Sequence, residues 1–326
     1  MALTRPRVLA LRALGLGDLL SGVPALRAVR RALPDHELVL ATPAVLSDLV
    51  GLAGVADRVV PTAGLERVVW SGGPPALAVN LHGRGPQSHR LLGELRPGRL
   101  VAFACREAQH DGPAWDPDEH EVRRWCRLVS DGLGVETEAS DLSLAAPPVD
   151  PLVGGAVVVH PGAAFPARRW PADRFAAVAR WARDRGYDVV VTGGPDESEL
   201  ADDVRRLAAL PAGAVLAGRT DLLHLAAEVA SARLVVCGDT GLAHLATAYA
   251  TPSVLLFGPT PPSRWGPLRD GPHEVLWRGA GVGDPWAHRP DPALLDIGVE
   301  AVVAAATRVL QVSGVRSPAR TTPASS

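Results

Sequence analysis

The chain has 326 residues, enough for about two domains of ordinary size. Hydrophobic residues make up 47% and charged residues 21%, which excludes a disordered or a fibrous protein. The 33 basic residues, all arginine, are balanced by 35 acidic residues, and neither half of the chain is basic. No nucleic-acid partner is therefore expected.

The cysteine content argues against a disulfide scaffold and against a zinc site. The three cysteines, Cys105, Cys126 and Cys237, are odd in number, widely spaced and not arranged in a CxxC pair. Free cysteines fit a reducing compartment, so a cytoplasmic location is expected. The apolar N-terminal run over 8–20 is interrupted by charges and glycines, and no run of about 18 apolar residues predicts a membrane span.

The first part of the chain alternates short β-branched runs with longer helical patterns, which is typical of an α/β domain with a parallel sheet. The apolar runs predict strands over Val8–Leu11, Leu38–Ala41, Leu77–Leu81 and Leu100–Phe103. Helical spacing predicts helices over Leu19–Leu33, Pro43–Leu52 and Asp118–Leu133. A proline-rich stretch, 146–151, then ends regular structure. We therefore expect an N-terminal domain over 1–150.

The same alternation restarts after this linker and predicts a second α/β domain over 151–312. Its predicted strands are Ala156–His160, Asp188–Thr192, Ala214–Ala217, Leu234–Cys237 and Ser253–Phe257. Its predicted helices are Ala172–Arg185, Asp196–Ala209, Leu222–Ala230, Leu242–Ala250 and Val299–Leu310. Residues 313–326, rich in Ser, Pro, Thr and Ala, are expected to be a disordered tail. Two doubly wound domains usually bind a ligand in the cleft between them, at the carboxyl ends of their strands.

The most informative segment, 234–246, is a predicted buried strand followed by a turn and a helix. Thr240 is placed to cap that helix, and Gly241 lets a phosphate approach the backbone N–H groups of its first turn. His244 lies one turn after Thr240 on the same face and can reach the same anion. The alternative is a plain strand-to-helix joint with a capping threonine and a core histidine. Asp239 argues against it, because a carboxylate in an apolar turn needs partners.

Two further loops follow predicted strands of the same domain. The loop 160–171 is rich in turn-forming residues, and Arg168 or Arg169 can contact a phosphate, a solvated pair being the alternative. Trp170 is expected to pack beneath this loop. After the next strand, Glu197 can accept two hydroxyls of a ribose, although an acidic first turn that complements the helix dipole explains it equally well. Together the three loops predict a nucleotide site.

The first domain has its own glycine-rich loop after its first predicted strand. Gly15 and Gly17 begin a GxGxxG pattern, but Leu20 occupies the place of the last glycine, which argues against a nicotinamide-dependent dehydrogenase. Asp18 lies just beyond the glycine turn, where a carboxylate can take a proton from a substrate hydroxyl. Acting as the N-cap of the following helix is the alternative role, and the two roles are compatible.

One pair of carboxylates is reminiscent of a metal site. Asp116 and Asp118, with His110 and His120 nearby, resemble the DxD motif of metal-dependent sugar transferases. The pair precedes a predicted helix rather than following a strand, and a proline separates the two residues. An exposed loop explains this segment better, and no metal site is expected.

In their order along the chain, these motifs resemble those of glycosyltransferase family 9, the ADP-heptose:lipopolysaccharide heptosyltransferases. Segment 238–244 is similar to the DTGLxH signature of that family, and further similarity lies in 15–18, 24–26, 160–171, 193–197 and 257–260. The resemblance covers about residues 8–267. It implies the GT-B fold, in which two Rossmann-like, doubly wound α/β domains face a central cleft. The N-terminal domain would bind the acceptor and the C-terminal domain the nucleotide sugar.

The resemblance also implies a reaction and a set of site residues. The reaction would be inverting, metal-independent transfer of a heptose from ADP-heptose to a saccharide, without a cofactor. Asp18 would be the catalytic base that deprotonates the acceptor hydroxyl. The donor residues it implies are Arg168, Thr240, Gly241 and His244 for the phosphates, Asp239 for the turn that holds them, and Glu197 for the ribose.

The sequence departs from the family pattern at several positions. Asn80 stands where an aspartate is usual at a first-domain strand end, and Ala163 and Ala164 replace hydroxyl residues of the donor loop. The candidates for contacting the acceptor are Gly17, His82, Arg84 and Arg90. The lysine-free composition indicates a GC-rich genome and would suit an actinobacterium, and such cells lack lipopolysaccharide. The acceptor therefore stays open among lipopolysaccharide core, capsule, cell-wall and natural-product glycans. A lipid-linked acceptor would bring peripheral contact with the inner face of the membrane, and another nucleotide sugar could replace the donor.

Two other functions are compatible with the same motifs. A GT-B-like epimerase of nucleotide sugars would need no acceptor and release no free nucleotide. A non-catalytic nucleotide-sugar-binding module would have no use for Asp18. The sequence therefore favours the sugar transferase.

Overall fold

The computed structural model describes residues 5–312 and 314, and the chain divides into two compact units, 1–145 and 146–326. The division falls at the start of the proline-rich stretch, whereas the sequence analysis places the end of the first domain at Asp150. Apart from residue 314, the predicted tail over 313–326 lies outside the described residues.

The first unit is built on a five-stranded parallel sheet with helices between its strands. Its strands are β1 Arg7–Leu11, β2 Glu37–Thr42, β3 Arg58–Pro61, β4 Leu77–Asn80 and β5 Leu100–Val101. Its helices are α1 Leu16–Ala32, α2 Ser47–Ala53, α3 Gln87–Gly93 and α4 Glu121–Leu133. The strand order is β3-β2-β1-β4-β5. Successive strands are added toward one edge of the sheet up to β3 and toward the other edge from β4 on, so the strand order reverses between β1 and β4.

The second unit repeats this architecture with a sheet of order β10-β9-β8-β6-β7. Its strands are β6 Val157–His160, β7 Val189–Val191, β8 Leu234–Gly238, β9 Ser253–Phe257 and β10 His273–Trp277. Its helices are α5 Ala172–Asp184, α6 Ser198–Leu207, α7 Leu222–Ser231, α8 Gly241–Tyr249, α9 Pro262–Trp265, α10 Pro292–Leu295 and α11 Val299–Val312. Here the reversal lies between β6 and β8.

Both sheets are buried because their strands are nearly continuous apolar runs. Residues 8–11 of β1 and all of β8 and β9 are buried, as expected for parallel strands covered by helices on both faces. In the first unit α1 packs against α4. In the second unit α11 packs against α5, β9 and β10, and its Val302, Ala305 and Val309 join the core. The predicted α/β class is therefore confirmed for each unit.

Several elements differ from the sequence-based predictions. Strands β3 and β10 and helix α3 were not predicted; β3 and α3 are short, and β10 lies at the edge of its sheet with a mainly half-buried pattern. The predicted strand over Ala214–Ala217 is wrong. Its start belongs to a 3₁₀ turn, Ala212–Ala214, and its single ladder contact pairs Val215 with Val191. A proline and a glycine at 211 and 213 favour the turn over a strand.

Within residues 5–312 and 314, no helix is both long and apolar enough to cross a membrane.

Candidate functional site

In a doubly wound sheet the ligand binds outside the carboxyl ends of the strands at the point where strand order reverses. In the first unit this point lies between β1 and β4, and the segments that follow these strands carry Asp18 and His82. In the second unit it lies between β6 and β8, which are followed by the loops that carry Arg168 and Thr240. Asp18, His82, Arg168 and Thr240 thus each follow a strand at the reversal point of their unit, whereas Glu197 follows the edge strand β7.

Asp18 lies in the first turn of α1, which begins at Leu16 and not at Leu19 as predicted. The N-cap residue is Gly15, and its N–H donates to Asp18 Oδ2 at 3.2 Å. The predicted N-cap role of Asp18 is therefore wrong. Its carboxylate caps the helix from the third helical position, because the glycine has no side chain that could do so.

The Asp18 carboxylate is 31% exposed, with Arg12 Nη2 3.9 Å from its Oδ1. Burial raises the pKa of Asp18 most strongly, while the Arg12 charge lowers it and Glu121 raises it. The outcome is a pKa above the ordinary aspartate value. A carboxylate with such a raised pKa is a stronger proton acceptor than a free aspartate.

His82 follows β4 and contacts the loop of Asp18. Its Nδ1 accepts the Ala13 N–H at 3.3 Å, so the neutral ring carries its proton on Nε2. Burial, with the nearby Arg12 charge, lowers the pKa of His82 to about 4. The imidazole is therefore neutral at physiological pH and presents an N–H donor.

Asn80, at the end of β4, holds the His82 loop. Its Oδ1 accepts the His82 N–H at 3.1 Å, and its Nδ2 donates to Ser88 Oγ at 2.9 Å and approaches His89 Nδ1 at 3.1 Å. An amide offers both an acceptor and donors to these partners, whereas an ionised aspartate would only accept. Asparagine at this position, where the family usually has aspartate, can therefore donate to Ser88 on α3 and accept from the His82 loop.

The other predicted acceptor residues occupy the same end of the sheet. Gly17 is partly exposed in the first turn of α1, and Arg84 is exposed in the loop after β4. Arg90, on α3, donates to the Glu107 carbonyl at 2.8 Å and is also exposed. Gly17 and Arg84 thus lie on the segments that follow β1 and β4, whereas Arg90 lies on α3.

In the second unit, Glu197 joins the loops after β6 and β7. Its Oε2 accepts the Gly194 N–H at 2.9 Å, and a side chain at Gly162 would overlap its carboxylate. His160 Nδ1 lies 3.1 Å from Thr192 Oγ1. Burial lowers the pKa of His160, although the Glu197 charge opposes that effect. The half-exposed carboxylate of Glu197 thus lies where two loops meet.

The N-terminus of α8 follows β8, at the place where the sequence predicts an anion site. Thr240 is the N-cap residue, but its side chain makes no capping hydrogen bond, so the predicted capping role is wrong. Its buried Oγ1 has no nitrogen or oxygen partner among the described residues and lies beside the Cys237 thiol. The Ala243 N–H donates to the Thr240 carbonyl at 3.1 Å, and a hydroxyl that does not cap leaves the N–H groups of Gly241 and Leu242 to another acceptor. Gly241 opens the helix at this point.

Two further residues predicted to bind the donor, Asp239 and His244, lie near this helix end. His244 is half-buried on α8 with its ring edge-to-face against Trp265, 5.7 Å between centroids. Asp239 is buried in the turn, and its N–H donates to the Leu256 carbonyl at 3.1 Å. Trp265, from the short helix α9, was not predicted as a site residue because a tryptophan after a proline-rich turn has no distinctive spacing.

Arg168 lies in the loop after β6. Its backbone carbonyl oxygen would lie 3.0 Å from a Cβ atom placed on Gly238, so this loop packs closely against the end of β8. Its buried Nε has no hydrogen-bond partner within the described part of the chain, which leaves a donor for a ligand. Arg169 instead donates to the Ala163 carbonyl at 2.9 Å. Trp170 is 1% exposed and donates to the Ile297 carbonyl at 3.0 Å, which confirms that it packs beneath the loop.

The DxD-like pair has a structural explanation. Asp116 Oδ1 accepts the Asp118 N–H at 2.9 Å, and His120 is the N-cap residue of α4. Among residues 5–312 and 314, no group of three or more histidine, cysteine or acidic side chains is arranged to hold a metal ion.

Two residues missed by the sequence analysis complete the site of the first unit. Arg12 follows β1 directly and is 0% exposed, and Glu121 begins α4 and is 6% exposed. Arg12 Nη2 lies 3.3 Å from Glu121 Oε1. The sequence did carry a signal for this pair. An arginine directly after an apolar strand is expected to be buried, and a buried charge requires a partner of opposite charge.

Comparison with known proteins agrees with these features. The sequence model described as glycosyltransferase family 9 (heptosyltransferase) matches residues 99–278, more than half of the chain. The protein therefore belongs to glycosyltransferase family 9. The match includes the donor-side loops of the second unit and begins after Asp18 and His82.

Among curated proteins, lipopolysaccharide heptosyltransferase 2 of Salmonella typhimurium is 36% identical over 135 residues, covering 40% of this chain and 36% of that protein. The corresponding Escherichia coli K12 protein is 38% identical over 114 residues, covering 33% of this chain and 32% of that protein. The chain thus matches about a third of the length of these curated relatives.

The structure resembles that of a family 9 glycosyltransferase from Veillonella parvula, with a TM-score of 0.79 and 22% identity over 96% of this chain and 99% of that one. ADP-heptose lipopolysaccharide heptosyltransferase II of E. coli gives a TM-score of 0.75 at 21% identity, covering 94% of this chain and 99% of that chain. These likenesses confirm the predicted GT-B fold.

Proposed function

We propose that the protein is an inverting glycosyltransferase that transfers a heptose from ADP-heptose to a hydroxyl of a saccharide acceptor. The observation that carries the proposal is the cluster of the second unit, where a helix N-terminus, the unpaired Nε of Arg168 and the carboxylate of Glu197 lie on adjoining strand-end loops. This set suits a nucleoside diphosphate. Family membership, and the heptosyltransferases to which the chain is similar, favour ADP-heptose as the donor.

The donor loops can stabilise the leaving diphosphate without a metal ion. The N–H groups of the first turn of α8 and the helix dipole favour an anion, and Arg168 adds a full positive charge. Thr240 and His244 can donate to the phosphate oxygens, Gly241 lets them approach the backbone, and Asp239 orders the turn. We therefore propose metal-independent transfer without a cofactor.

In the proposed reaction Asp18 is the general base. Its carboxylate takes the proton of the acceptor hydroxyl as the acceptor oxygen forms a bond to the anomeric carbon. The bond from that carbon to the β-phosphate oxygen breaks, its electron pair leaves with ADP, and attack from the opposite face inverts the configuration. The raised pKa of Asp18 favours proton uptake in this step.

The acceptor would bind at the first unit. His82, neutral and carrying its proton on Nε2, can donate to a sugar hydroxyl, while Gly17 allows close approach and Arg84 and Arg90 can contact anionic groups. We propose a saccharide of the cell envelope, from lipopolysaccharide core to capsule or cell-wall glycan. The three buried free cysteines favour the cytoplasm, with peripheral contact at the membrane if the acceptor is lipid-linked.

Nucleotide binding is the first test. Calorimetric titration with ADP, UDP, GDP and NAD, each with and without EDTA, should give selective binding of ADP that EDTA does not change. Preference for UDP or GDP would keep the fold but replace the donor. Preference for NAD, or no binding at all, would overturn the proposal.

The second test replaces the proposed base. With ADP-heptose and a heptose-deficient lipopolysaccharide core as acceptor, Asp18→Asn should lower ADP release by about 10²- to 10⁴-fold, the contribution of general-base catalysis. The same variant should bind ADP like the native protein. Full activity of this variant would refute the base role. Conversion of the donor without an acceptor and without ADP release would indicate an epimerase instead.

A further inference from the structure

Behind Asp18 lies a buried charge cluster formed by Arg12, Glu121 and Arg124. The Arg12 guanidinium donates to the backbone carbonyls of Asp18 and Leu81 and to Ser21 Oγ at 2.8 Å. It also stacks on the Trp125 ring, 4.8 Å from the ring centroid. These contacts fix the position of the Arg12 side chain. Because Arg12 donates to the backbone carbonyl of Asp18, they also fix that carbonyl.

Glu121 is the carboxylate that binds this arginine. Its Oε1 lies 3.3 Å from Arg12 Nη2 and accepts the Trp125 Nε1–H at 2.7 Å, and its Oε2 pairs with Arg124. Asp18 Oδ1, by contrast, lies 3.9 Å from Arg12 Nη2, beyond hydrogen-bond distance. One guanidinium thus faces two carboxylates, but it is hydrogen-bonded to only one of them.

We propose that Arg12 and Glu121 are positioning residues for Asp18, in which Glu121 holds the Arg12 guanidinium and thereby prevents it from forming a hydrogen-bonded pair with the Asp18 carboxylate. The inference rests on the proposed function and deepens it. Arg12 fixes the backbone of the base and Glu121 keeps the side chain of the base free for a substrate proton. Both residues are buried, so they would act on a substrate through Asp18.

Electrostatics explains why this arrangement matters to a base. A direct Arg–Asp pair would lower the pKa of the aspartate and make it a poorer proton acceptor. The charged and titratable groups facing the cluster are Arg12 from the end of β1, Glu121 and Arg124 from α4, and His82 from the loop after β4. The low pKa of His82, about 4, keeps that ring neutral. The charges around Asp18 are therefore those of its own carboxylate, the Glu121 carboxylate and the guanidinium groups of Arg12 and Arg124.

The test measures the ionisation of Asp18 directly and needs no substrate. The full-length protein is labelled with ¹³C at aspartate carboxyls, and the Asp18 signal is identified by its loss in Asp18→Asn. In Glu121→Gln, which keeps the size and an acceptor oxygen, the titration midpoint of Asp18 should move to lower pH, because Arg12 is released toward it. In Arg12→Met the midpoint should move to higher pH.

The matched control is Glu119→Gln, which removes another carboxylate beside α4. The Glu119 carboxylate pairs with Arg127 at 2.7 Å and not with Arg12, so this variant should leave the midpoint unchanged. An unchanged or raised midpoint in Glu121→Gln would overturn the inference. So would a lowered midpoint in Arg12→Met, which gives an independent answer if the first variant does not fold.

Activity separates this inference from the proposed function. If Asp18→Asn abolishes transfer but Glu121→Gln leaves the Asp18 midpoint in place, the function stands and the positioning role fails. If the midpoint shifts as expected but the native protein transfers no sugar, the charge arrangement stands and the function fails. When both hold, the acid limb of the pH–rate profile in Glu121→Gln should move to lower pH, in the same direction as the midpoint.

Discussion

The carboxylate of Glu197 accepts the Gly194 N–H and lies against Gly162, so it already has a structural task before any ligand binds. The glycine at 162 leaves room for it. One oxygen is held by the backbone, and the residue remains half-exposed at the junction of two loops. A carboxylate fixed in this way can accept ribose hydroxyls without first losing side-chain freedom.

Replacing Glu197 by glutamine should therefore weaken ADP binding but not pyrophosphate binding. Hydrogen bonds to a charged group contribute about 1.5–3 kcal/mol, so the Kd for ADP should rise about 10- to 100-fold. Calorimetry with the two ligands measures the difference. Glu199→Gln, an exposed position on α6, is the control and should bind both ligands like the native protein.

The paired result also tests the role of Arg168. Arg168→Gln should weaken ADP and pyrophosphate alike, since its proposed contact is with the diphosphate. If Glu197→Gln weakened both ligands equally, the residue would be supporting the phosphate loop and not the ribose. If it weakened neither, its only task would be to hold the backbone of Gly194.

Helix α1 has a glycine, Gly22, where it packs against the side chain of Arg12. Gly22 lies in the middle of this helix, and a methyl group there would be 2.7 Å from Arg12 Cδ and 2.9 Å from Arg12 Nε. Because Arg12 is held by several hydrogen bonds, it cannot move aside without losing them. The glycine is thus required by packing, although it lowers the intrinsic stability of the helix.

Two glycine-to-alanine substitutions should have opposite effects on stability. Gly22→Ala should destabilise the protein by about 1–3 kcal/mol, as overpacking does. Gly51→Ala, in helix α2, where the new methyl group meets nothing within 4 Å apart from the adjoining helix backbone, should stabilise it by about 0.5–1 kcal/mol. Thermal melting of both variants provides the measurement, and a Gly22→Ala protein as stable as the native one would contradict the packing argument.

The long, apolar elements could be predicted from the sequence, and the short or half-buried ones could not. Strand β9 was predicted over its full extent because all of Ser253–Phe257 is buried and its run after Ser253 is continuously apolar. Strand β10, with its half-buried pattern His273–Trp277, has no such signal. The start of α1 was placed three residues late, because a glycine N-cap capped from Asp18 lacks the usual Ser or Thr at the helix start.

The candidate site shows the same division. Residues that closely follow buried strands, such as Asp18 and Thr240, were predictable because parallel strands bring their carboxyl ends to one edge. Glu121 lies 109 positions after Arg12, and only the tertiary fold brings α4 against the end of β1. Pairings of this kind cannot be predicted from local patterns in one sequence.

Across the whole molecule, each unit buries histidines that stay neutral. His82 in the first unit and His273 in the second both have a pKa lowered to about 4, chiefly by burial and further by a nearby arginine. Burial also lowers the pKa of His89 and His160. The unfolded chain, whose histidines have a pKa near 6.5, therefore binds protons at pH values where the folded chain does not.

Stability should consequently fall as the pH is lowered from about 6.5 toward 4. At pH 5, His82 and His273 should each cost about 1 kcal/mol relative to pH 7, after allowance for partial exposure. Asp57, whose pKa is lowered by its hydrogen bond to Arg30, loses its contribution only below the ordinary aspartate range, outside this window. The raised pKa of Asp18 acts in the opposite direction but is a single group.

Urea unfolding at pH 7 and pH 5 measures this loss. In His273→Gln the difference in unfolding free energy between pH 7 and pH 5 should shrink, because a group that binds a proton only in the unfolded chain has been removed. The substitution also alters the contact with Ser253 Oγ at 2.8 Å, which affects the stability at both pH values. His288→Gln, at an exposed position, should leave the difference at its native value. Equal pH dependence in all three proteins would show that buried histidines do not govern the acid sensitivity, and the carboxylates would then have to account for it.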